Sequence, residues 1–137
     1  MYDSILVPTD GSDGANRAIE HGLQLAERFD STLYTLFVVD TRRYGEPALS
    51  AAELVLDDLE DRGQELLDDL VQRADNRGID VVTHLCHGSP EEEIVAYADE
   101  IDAELLVMGY QGQSHRHDMG SVVSRVLQET DRPVLVA

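Results

Sequence analysis

The sequence predicts one α/β domain, built on a five-stranded parallel sheet with helices on both faces. Short apolar runs alternate with longer segments of helical periodicity, which is the pattern of repeated strand–helix units. The runs are apolar on both of their faces, as in parallel strands that are buried on both sides. A length of 137 residues suits a single domain. Right-handed crossovers then favour a doubly wound sheet with strand order 3-2-1-4-5 and four helices.

The five strands follow from the apolar runs and the residues that bound them. They are predicted at residues 4–7, 33–39, 81–86, 105–108 and 134–137. Pro8 ends the first strand, and residues 40–47 are expected to form a loop after the second.

Each of the four helices has a start or stop signal. Ser12 is expected to cap the first helix, and residues 50–53 form a capping box that opens a long second helix. Gly78 is the predicted stop of the second helix. Ser89 and Pro90 are typical of the start of the third. The fourth follows Gly120 and ends before Pro133.

The charge balance is extreme and restricts the possible partners. The chain has 28 acidic residues and 10 basic ones, the basic ones are all arginine, and the net charge is −18. Such a surface repels nucleic acid and anionic membranes, so both are excluded as direct partners. The protein is either merely acidic or halophilic, from an acidic proteome adapted to a salty cytoplasm. We favour the second, and expect partial or complete unfolding in dilute buffer.

Nothing at the N-terminus resembles a signal peptide, and no apolar stretch approaches the ~20 residues that span a bilayer. The single cysteine, Cys86, has no partner for an internal disulfide. The sequence therefore predicts a soluble cytoplasmic protein with one domain over residues 1–137.

The most informative segment lies near the C-terminus. The buried run at 105–108 leads into Gly109 and Gly112, and Gly120 and Ser121 precede a helix. Glycines let a backbone approach a ligand closely, and a helix start offers unpaired N–H groups and a positive dipole end. The segment therefore suggests a phosphate site. A connector loop that binds nothing could carry the same glycines.

The predicted strand order places this segment where doubly wound sheets bind ligands. Strands 1 and 4 are neighbours whose connections leave in opposite directions, which opens a crevice at their carboxyl ends. Asp10 follows the first strand there. It is a candidate for binding the nucleoside or Mg²⁺, and equally a turn residue that accepts hydrogen bonds from nearby N–H groups.

The ordered set of motifs resembles the universal stress protein family over essentially all 137 residues. It is carried by residues 5–12, 37–40, 88–90 with 93–94, 107–112, 120–122 and 133–136. The resemblance implies a Rossmann-like, adenine-nucleotide alpha hydrolase-like fold. The family's ATP-binding branch has two glycines three apart, nine residues, then Gly-Ser or Gly-Thr. Here only seven residues separate Gly112 from Gly120, so this glycine loop is shortened.

The resemblance also implies a ligand and a site. The ligand would be ATP, with ADP or AMP as alternatives and Mg²⁺ held through Asp10. The implied nucleotide-binding residues are Pro8, Thr9, Asp10, Val38, Met108, Gly109, Gly112, Gly120, Ser121, Val122 and Ser124. The family further implies a homodimer formed through the C-terminal strand residues Val134, Leu135 and Val136.

Two functions remain open at this stage. The first is an adenine-nucleotide-binding stress-response protein that acts as a homodimeric sensor or regulator. The second is a nucleotide-free interaction module whose shortened loop no longer binds ATP. No nucleophile or acid–base pair stands out, so no catalytic residues are assigned and slow ATP hydrolysis is the most that is expected.

Other residues of note have an ordinary interpretation beside the functional one. Arg116 either neutralises phosphate or is an exposed loop arginine. His115 and His117 are too few to bind a metal by themselves. His84, Cys86 and His87 are interpreted as structural, as is Phe37, which we expect in the core. The motifs of dinucleotide folds, P-loop proteins and receiver domains do not occur here, so these classes of protein are excluded.

Overall fold

The computed structural model describes residues 1–41, 49–111 and 119–137, and for residues 49–53 the backbone alone. Strands and helices alternate throughout. They are β1 (Ser4–Pro8), α1 (Asp13–Phe29), β2 (Thr32–Asp40), α2 (Leu49–Asn76), β3 (Val81–Gly88), α3 (Pro90–Glu100), β4 (Leu105–Met108), α4 (Ser121–Glu129) and β5 (Val134–Val136).

The sheet confirms the predicted class and order. Its five strands are parallel and lie in the order β3-β2-β1-β4-β5. Ile5 pairs with Leu33 of β2 on one side and with Leu105 of β4 on the other. The first strand is therefore the centre of the sheet, and the chain leaves it in both directions.

Strands β2 and β3 are longer than the apolar pattern predicts. The ladder between β2 and β3 continues through Val39–His87 to Asp40–Gly88, beyond the predicted ends at Val39 and Cys86. Hydrogen bonding between the strands continues as long as both backbones stay extended. The sequence pattern did not indicate these strand ends because the last residues are not apolar. Helix α2 begins at Leu49, one residue before the predicted capping box, whose side chains lie outside the described part.

Side chains from alternate positions of the strands fill two separate core layers. In β1, Ile5 and Val7 face α1 and α2, whereas Leu6 faces α3 and α4. The first layer also holds Leu23 and Leu70, both fully buried. The sheet is thus covered on both faces, as the two-sided apolar strands predict.

Helix ends follow their local chemistry. The Ser12 hydroxyl accepts a hydrogen bond from the Ala15 N–H at 3.1 Å, which confirms the predicted cap of α1. Ser89 stands at the N-cap of α3 and makes no side-chain cap hydrogen bond, since Pro90 already sets the first turn. Gly78 has φ +70° just beyond α2, in the left-handed conformation that its position requires.

An ion-paired seam joins the two helices of the first layer. Glu20 on α1 accepts hydrogen bonds from Arg73 on α2 and from Arg77, which directly follows α2, at 2.9 and 2.8 Å. The hydrogen bond from Arg77 is the largest cause of the lowered pKa of Glu20. The groups are partly exposed, so the seam contributes at most about 1 kcal/mol per pair. Among the described helices, none is long and apolar enough to cross a membrane.

Candidate functional site

A cavity of about 330 Å³ opens at the carboxyl ends of β1, β2 and β4. This volume is within the range of small-molecule sites, at its lower end. The cavity lies between the connections of β1 and β4, which leave to opposite faces of the sheet. Its lining consists of Pro8, Thr9, Asp10, Ser12, Ala15, Leu36, Phe37, Val38, Val39, Asp40, Leu59, Arg62, Pro90, Ile94, Met108, Gly109, Gln111, Gly120, Ser121, Val122 and Val123.

The turn after β1 forms the floor of this cavity. The Thr9 N–H donates to the Leu36 carbonyl at 2.9 Å, which ties the turn to β2. Asp10 Oδ1 accepts a hydrogen bond from the Ser12 N–H at 2.9 Å, so Asp10 is a turn residue. It also lines the cavity. The turn interpretation of Asp10 is confirmed, and its binding of a nucleoside or Mg²⁺ stays a prediction for a side chain that lies on the crevice.

The end of β4 lies directly against the start of α1, and two glycines make this possible. A Cβ at Gly109 would lie 2.4 Å from the Gly14 carbonyl carbon, and one at Gly14 would lie 2.0 Å from the Gln111 carbonyl oxygen. Both distances are far below ordinary contact. Gly109 thus serves strand–helix packing as well as lining the cavity. The sequence analysis did not single out Gly14, whose only sequence signal is a glycine in the first turn of a helix.

The start of α4 differs from the starts of α1 and α3 in its cap and in the charge of its first turn. Gly120 is its N-cap, with φ −61° and ψ 150°, and makes no side-chain cap hydrogen bond; the first turn has no acidic residue. In contrast, Ser12 caps α1, and α3 has three glutamates in its first turn. Amide N–H groups and the positive end of the dipole at the start of α4 are therefore presented to the cavity.

Backbone hydrogen bonds hold both ends of the glycine loop. The Gly120 N–H donates to the Tyr110 carbonyl at 2.8 Å, and the Tyr110 N–H donates to the Ala137 carbonyl at 2.8 Å. The Ala137 N–H in turn donates to the Met108 carbonyl at 2.8 Å. The first residues after β4, the cap of α4 and the C-terminal strand are therefore one hydrogen-bonded unit.

Most of the residues that the resemblance implies lie together on the cavity. They are Pro8, Thr9, Asp10, Val38, Met108, Gly109, Gly120, Ser121 and Val122. Ser124 lies one turn into α4, where its N–H donates to the Gly120 carbonyl at 3.1 Å, and it is not part of the lining. Gly112, His115, Arg116 and His117 lie outside the described residues.

Helix α2 contributes to the cavity, which the sequence analysis missed. Leu59 and Arg62 belong to the lining although their helix lies far from the glycine motif in the sequence. The available signal was Gly63, a glycine inside a helix, where its cost in helix stability indicates a packing role. A Cβ there would lie 2.4 Å from the Phe37 ring. Phe37 is buried, as predicted, and it also lines the cavity.

The histidines and the cysteine of β3 have structural partners. The His84 ring stacks on Tyr97, with ring centroids 4.6 Å apart. His87 Nε2 lies 2.7 Å from Glu60 Oε1 on α2. Burial raises the pKa of the Cys86 thiol to about 11, and the Glu93 carboxylate adds to the effect. Among the described residues there is no group of three or more ligands able to hold a metal ion.

The fold and the crevice together define a doubly wound α/β protein with a candidate anion site at its topological switch point. The profile of the Universal stress protein family matches residues 1–137, and the chain belongs to that family. Membership confirms the family that the sequence motifs indicated.

Individual relatives agree with this assignment. The Universal stress protein MJ0531 of Methanocaldococcus jannaschii is 37% identical over 139 residues, covering 99% of this chain and 82% of the relative. The solved structure of MJ0577, from the same organism, superposes with a TM-score of 0.90 at 26% identity, covering 100% of this chain and 96% of that one. A universal stress protein solved in complex with cAMP has a TM-score of 0.70 at 27% identity, covering 99% of this chain and 96% of that one.

Proposed function

We propose that this universal stress protein binds an adenine nucleotide in the cavity, with ATP as the principal ligand, and that occupancy of the site controls a homodimeric sensor or regulator. The observation that carries the proposal is the start of α4, which opens onto the cavity without a side-chain cap or an acidic first turn. This is the arrangement that favours a phosphate group. The relative solved with cAMP supports an adenine nucleotide as the ligand class.

The proposed binding mode has three parts. The base would lie near Pro8, Thr9, Asp10 and Val38, and the ribose beside Met108 and Gly109. The phosphates would accept hydrogen bonds from backbone N–H groups. The residues proposed to hold them are Gly112, Gly120, Ser121 and Val122, with Ser124 contributing its hydroxyl. The N–H groups of Gly120 and Ser124 are already bonded, to the Tyr110 and Gly120 carbonyls, so Gly120 would contribute close approach of its backbone rather than a hydrogen bond.

The chemistry that we propose is binding, with slow hydrolysis at most. The described lining offers the carboxylates Asp10 and Asp40 and the guanidinium of Arg62 as its ionisable side chains. Asp10 Oδ1 accepts a hydrogen bond from the Ser12 N–H, and the Asp10 carboxylate is the proposed ligand of a nucleotide-bound Mg²⁺.

The proposed dimer uses the edge of the sheet. In the described chain β5 pairs with β4 on one side and is the last strand of the sheet. An apolar edge strand is a template for pairing with a second copy, and Val134, Leu135 and Val136 would form that contact in the cytoplasm. Ala137 is hydrogen-bonded to the residues that lead into the glycine loop, so pairing at this edge would affect the backbone position at the nucleotide site.

The decisive experiment compares two substitutions at the cap of α4. Asparagine and aspartate are both good N-cap residues, and the backbone conformation at Gly120, with φ −61°, is one that any residue adopts, but only aspartate adds a negative charge. Protein purified in molar KCl is denatured to look for released nucleotide. It is then titrated by calorimetry with ATP, ADP, AMP and adenosine in the presence of Mg²⁺.

The negative charge of the introduced aspartate should weaken only the binding of ligands that carry phosphates. We expect Gly120→Asp to weaken ATP binding at least about fivefold more than Gly120→Asn, since like charges within a few ångströms cost about 1 kcal/mol or more. Adenosine affinity should be the same in both variants. If the unaltered protein binds none of these ligands in molar KCl, the proposed function is refuted and the nucleotide-free interaction module is the alternative that stands.

A further inference from the structure

We infer that Arg62 of α2 is a base-recognition residue: its guanidinium holds the purine ring at the end of the cavity opposite the start of α4. The inference rests on the proposed nucleotide site and adds to it the group that selects the base. It concerns a residue for which the local sequence carries no motif.

The order of the strands separates the two ends of the cavity. The residues of β2 and α2 lie on one side of β1, and those of β4 and α4 lie on the other. Neighbouring strands are about 4.8 Å apart, so the β2 and β4 ends of the cavity are roughly 10 Å apart. Arg62 belongs to the first end: its Nη2 atom lies 3.5 Å from the Cβ position of Gly11, in the turn that follows β1.

The charges of the two ends differ, and they orient the ligand. Asp10 and Asp40 line the cavity at the ends of β1 and β2, on the side of Arg62. Within the described lining, a phosphate placed there would lie beside these two carboxylates, with Arg62 as the one guanidinium. At the other end the first turn of α4 has no acidic residue. A nucleotide therefore gains most by directing its phosphates to α4, which leaves the base beside Arg62.

The surroundings of Arg62 suit a flat aromatic ring. Leu59, Phe37 and Val39 line the same end of the cavity and supply apolar contact. A guanidinium is planar, stacks on aromatic faces, and donates hydrogen bonds without accepting any. It therefore complements the π face and the ring nitrogens of a purine.

Arg62 lines the cavity and lies outside the ion pairs that the described residues form with one another. Between described residues, ion pairs engage Arg73, Arg77 and Arg132, whereas Arg62 takes part in none of them. Arg17, Arg28 and Arg125 likewise form no ion pair between described residues, so what distinguishes Arg62 is its place on the cavity. The neighbouring Gly63 brings the backbone of α2 against the Phe37 ring, where a Cβ would come within 2.4 Å. The close approach of α2 to β2 is what brings Arg62 to the cavity.

The test is a titration of Arg62→Met, which keeps an unbranched side chain and removes the guanidinium. Arg28→Met is the control, because Arg28 is exposed in the last turn of α1, at the opposite end of the sheet. Each variant is titrated with adenosine, ATP, CTP and pyrophosphate in molar KCl, after its thermal unfolding has shown that it is folded.

We expect Arg62→Met to weaken the binding of adenosine and of ATP by the same factor, about 2- to 30-fold, which is the range of a cation–π contact. The preference for ATP over CTP should fall, and pyrophosphate binding should not change. Arg28→Met should match the unaltered protein.

The contrary results are distinct. Weaker binding of ATP and pyrophosphate with unchanged adenosine would show that Arg62 contacts phosphate, and would overturn the inference. Nucleotide binding that Arg62→Met leaves intact would overturn it while the proposed function stands. An unaltered protein that binds neither adenosine nor ATP would refute the proposed function, and this inference with it.

Discussion

Replacing Gly14 by alanine tests whether the junction between β4 and α1 is as tight as the structure shows. The new methyl group would lie 2.0 Å from the Gln111 carbonyl oxygen and 3.1 Å from its carbonyl carbon. Ordinary contact begins near 3.4 Å, so the shortfall to the oxygen is about 1.4 Å. Both sides of the contact are backbone, and no side-chain rotation relieves it.

The magnitude follows from two opposing effects. Alanine in place of glycine stabilises a helix by about 0.5–1 kcal/mol, and Gly14 lies in the first turn of α1, where the gain is at the lower end. Overpacking in a tight site costs about 1–3 kcal/mol. We therefore expect Gly14→Ala to lower the free energy of unfolding by about 1–2 kcal/mol. At this chain length that corresponds to a fall of about 3–6 °C in Tm.

The assay is thermal unfolding followed by circular dichroism in molar KCl. Asn16→Ala, an exposed position in the same helix, is the control and should leave Tm unchanged or slightly raised. The same displacement would move Gln111, at the start of the glycine loop, so nucleotide affinity should fall in Gly14→Ala alone. A Tm for Gly14→Ala equal to or above that of the unaltered protein would refute the reasoning.

Two further predictions concern salt and pH. With a net charge of −18, Tm should rise steeply between dilute buffer and molar KCl, because the Debye length shrinks to about 3 Å at 1 M and self-repulsion is screened; a melting curve that salt does not shift would exclude the halophilic interpretation. The raised pKa of Cys86, about 11 against 9.0 when unfolded, means that the folded state keeps a proton which the unfolded state loses, so stability should fall as pH rises from 9 towards 11. Denaturant unfolding across that range should show a shallower fall in Cys86→Ala, and an identical slope in both proteins would contradict the assignment.

Much of the fold was predictable because each strand has a local signal in the sequence, a short apolar run. The run at 105–108 is β4 residue for residue, and Ser12 caps α1 as its position before an apolar helical pattern suggests. The strand order followed from alternation and handedness, which are properties of any right-handed β-α chain. The ends of β2 and β3 were not predictable, because their last residues are polar and are held by pairing with each other.

The position of the candidate site was predictable where it depends on backbone structure. The prediction missed residues whose place depends on tertiary packing. Gly120 and Ser121 mark a helix start in the sequence itself, and the crevice follows from the order of the strands. Arg62 and Gly14 had no such signal. Each acquires its place by contact with a segment distant in sequence, Arg62 with the turn at Gly11 and Gly14 with Gln111.

The sequence by itself therefore determined the family, the alternating fold, the order of its strands and the acidic surface, since these depend on local periodicity, motif spacing and composition. Only the tertiary structure decided that α2 closes one end of the cavity and that paired glycines lock β4 onto α1. The physical reason is that close-packed contacts are sensitive to shifts of a few tenths of an ångström. The segments that make these contacts are far apart in the sequence, and no local pattern indicates how closely they approach.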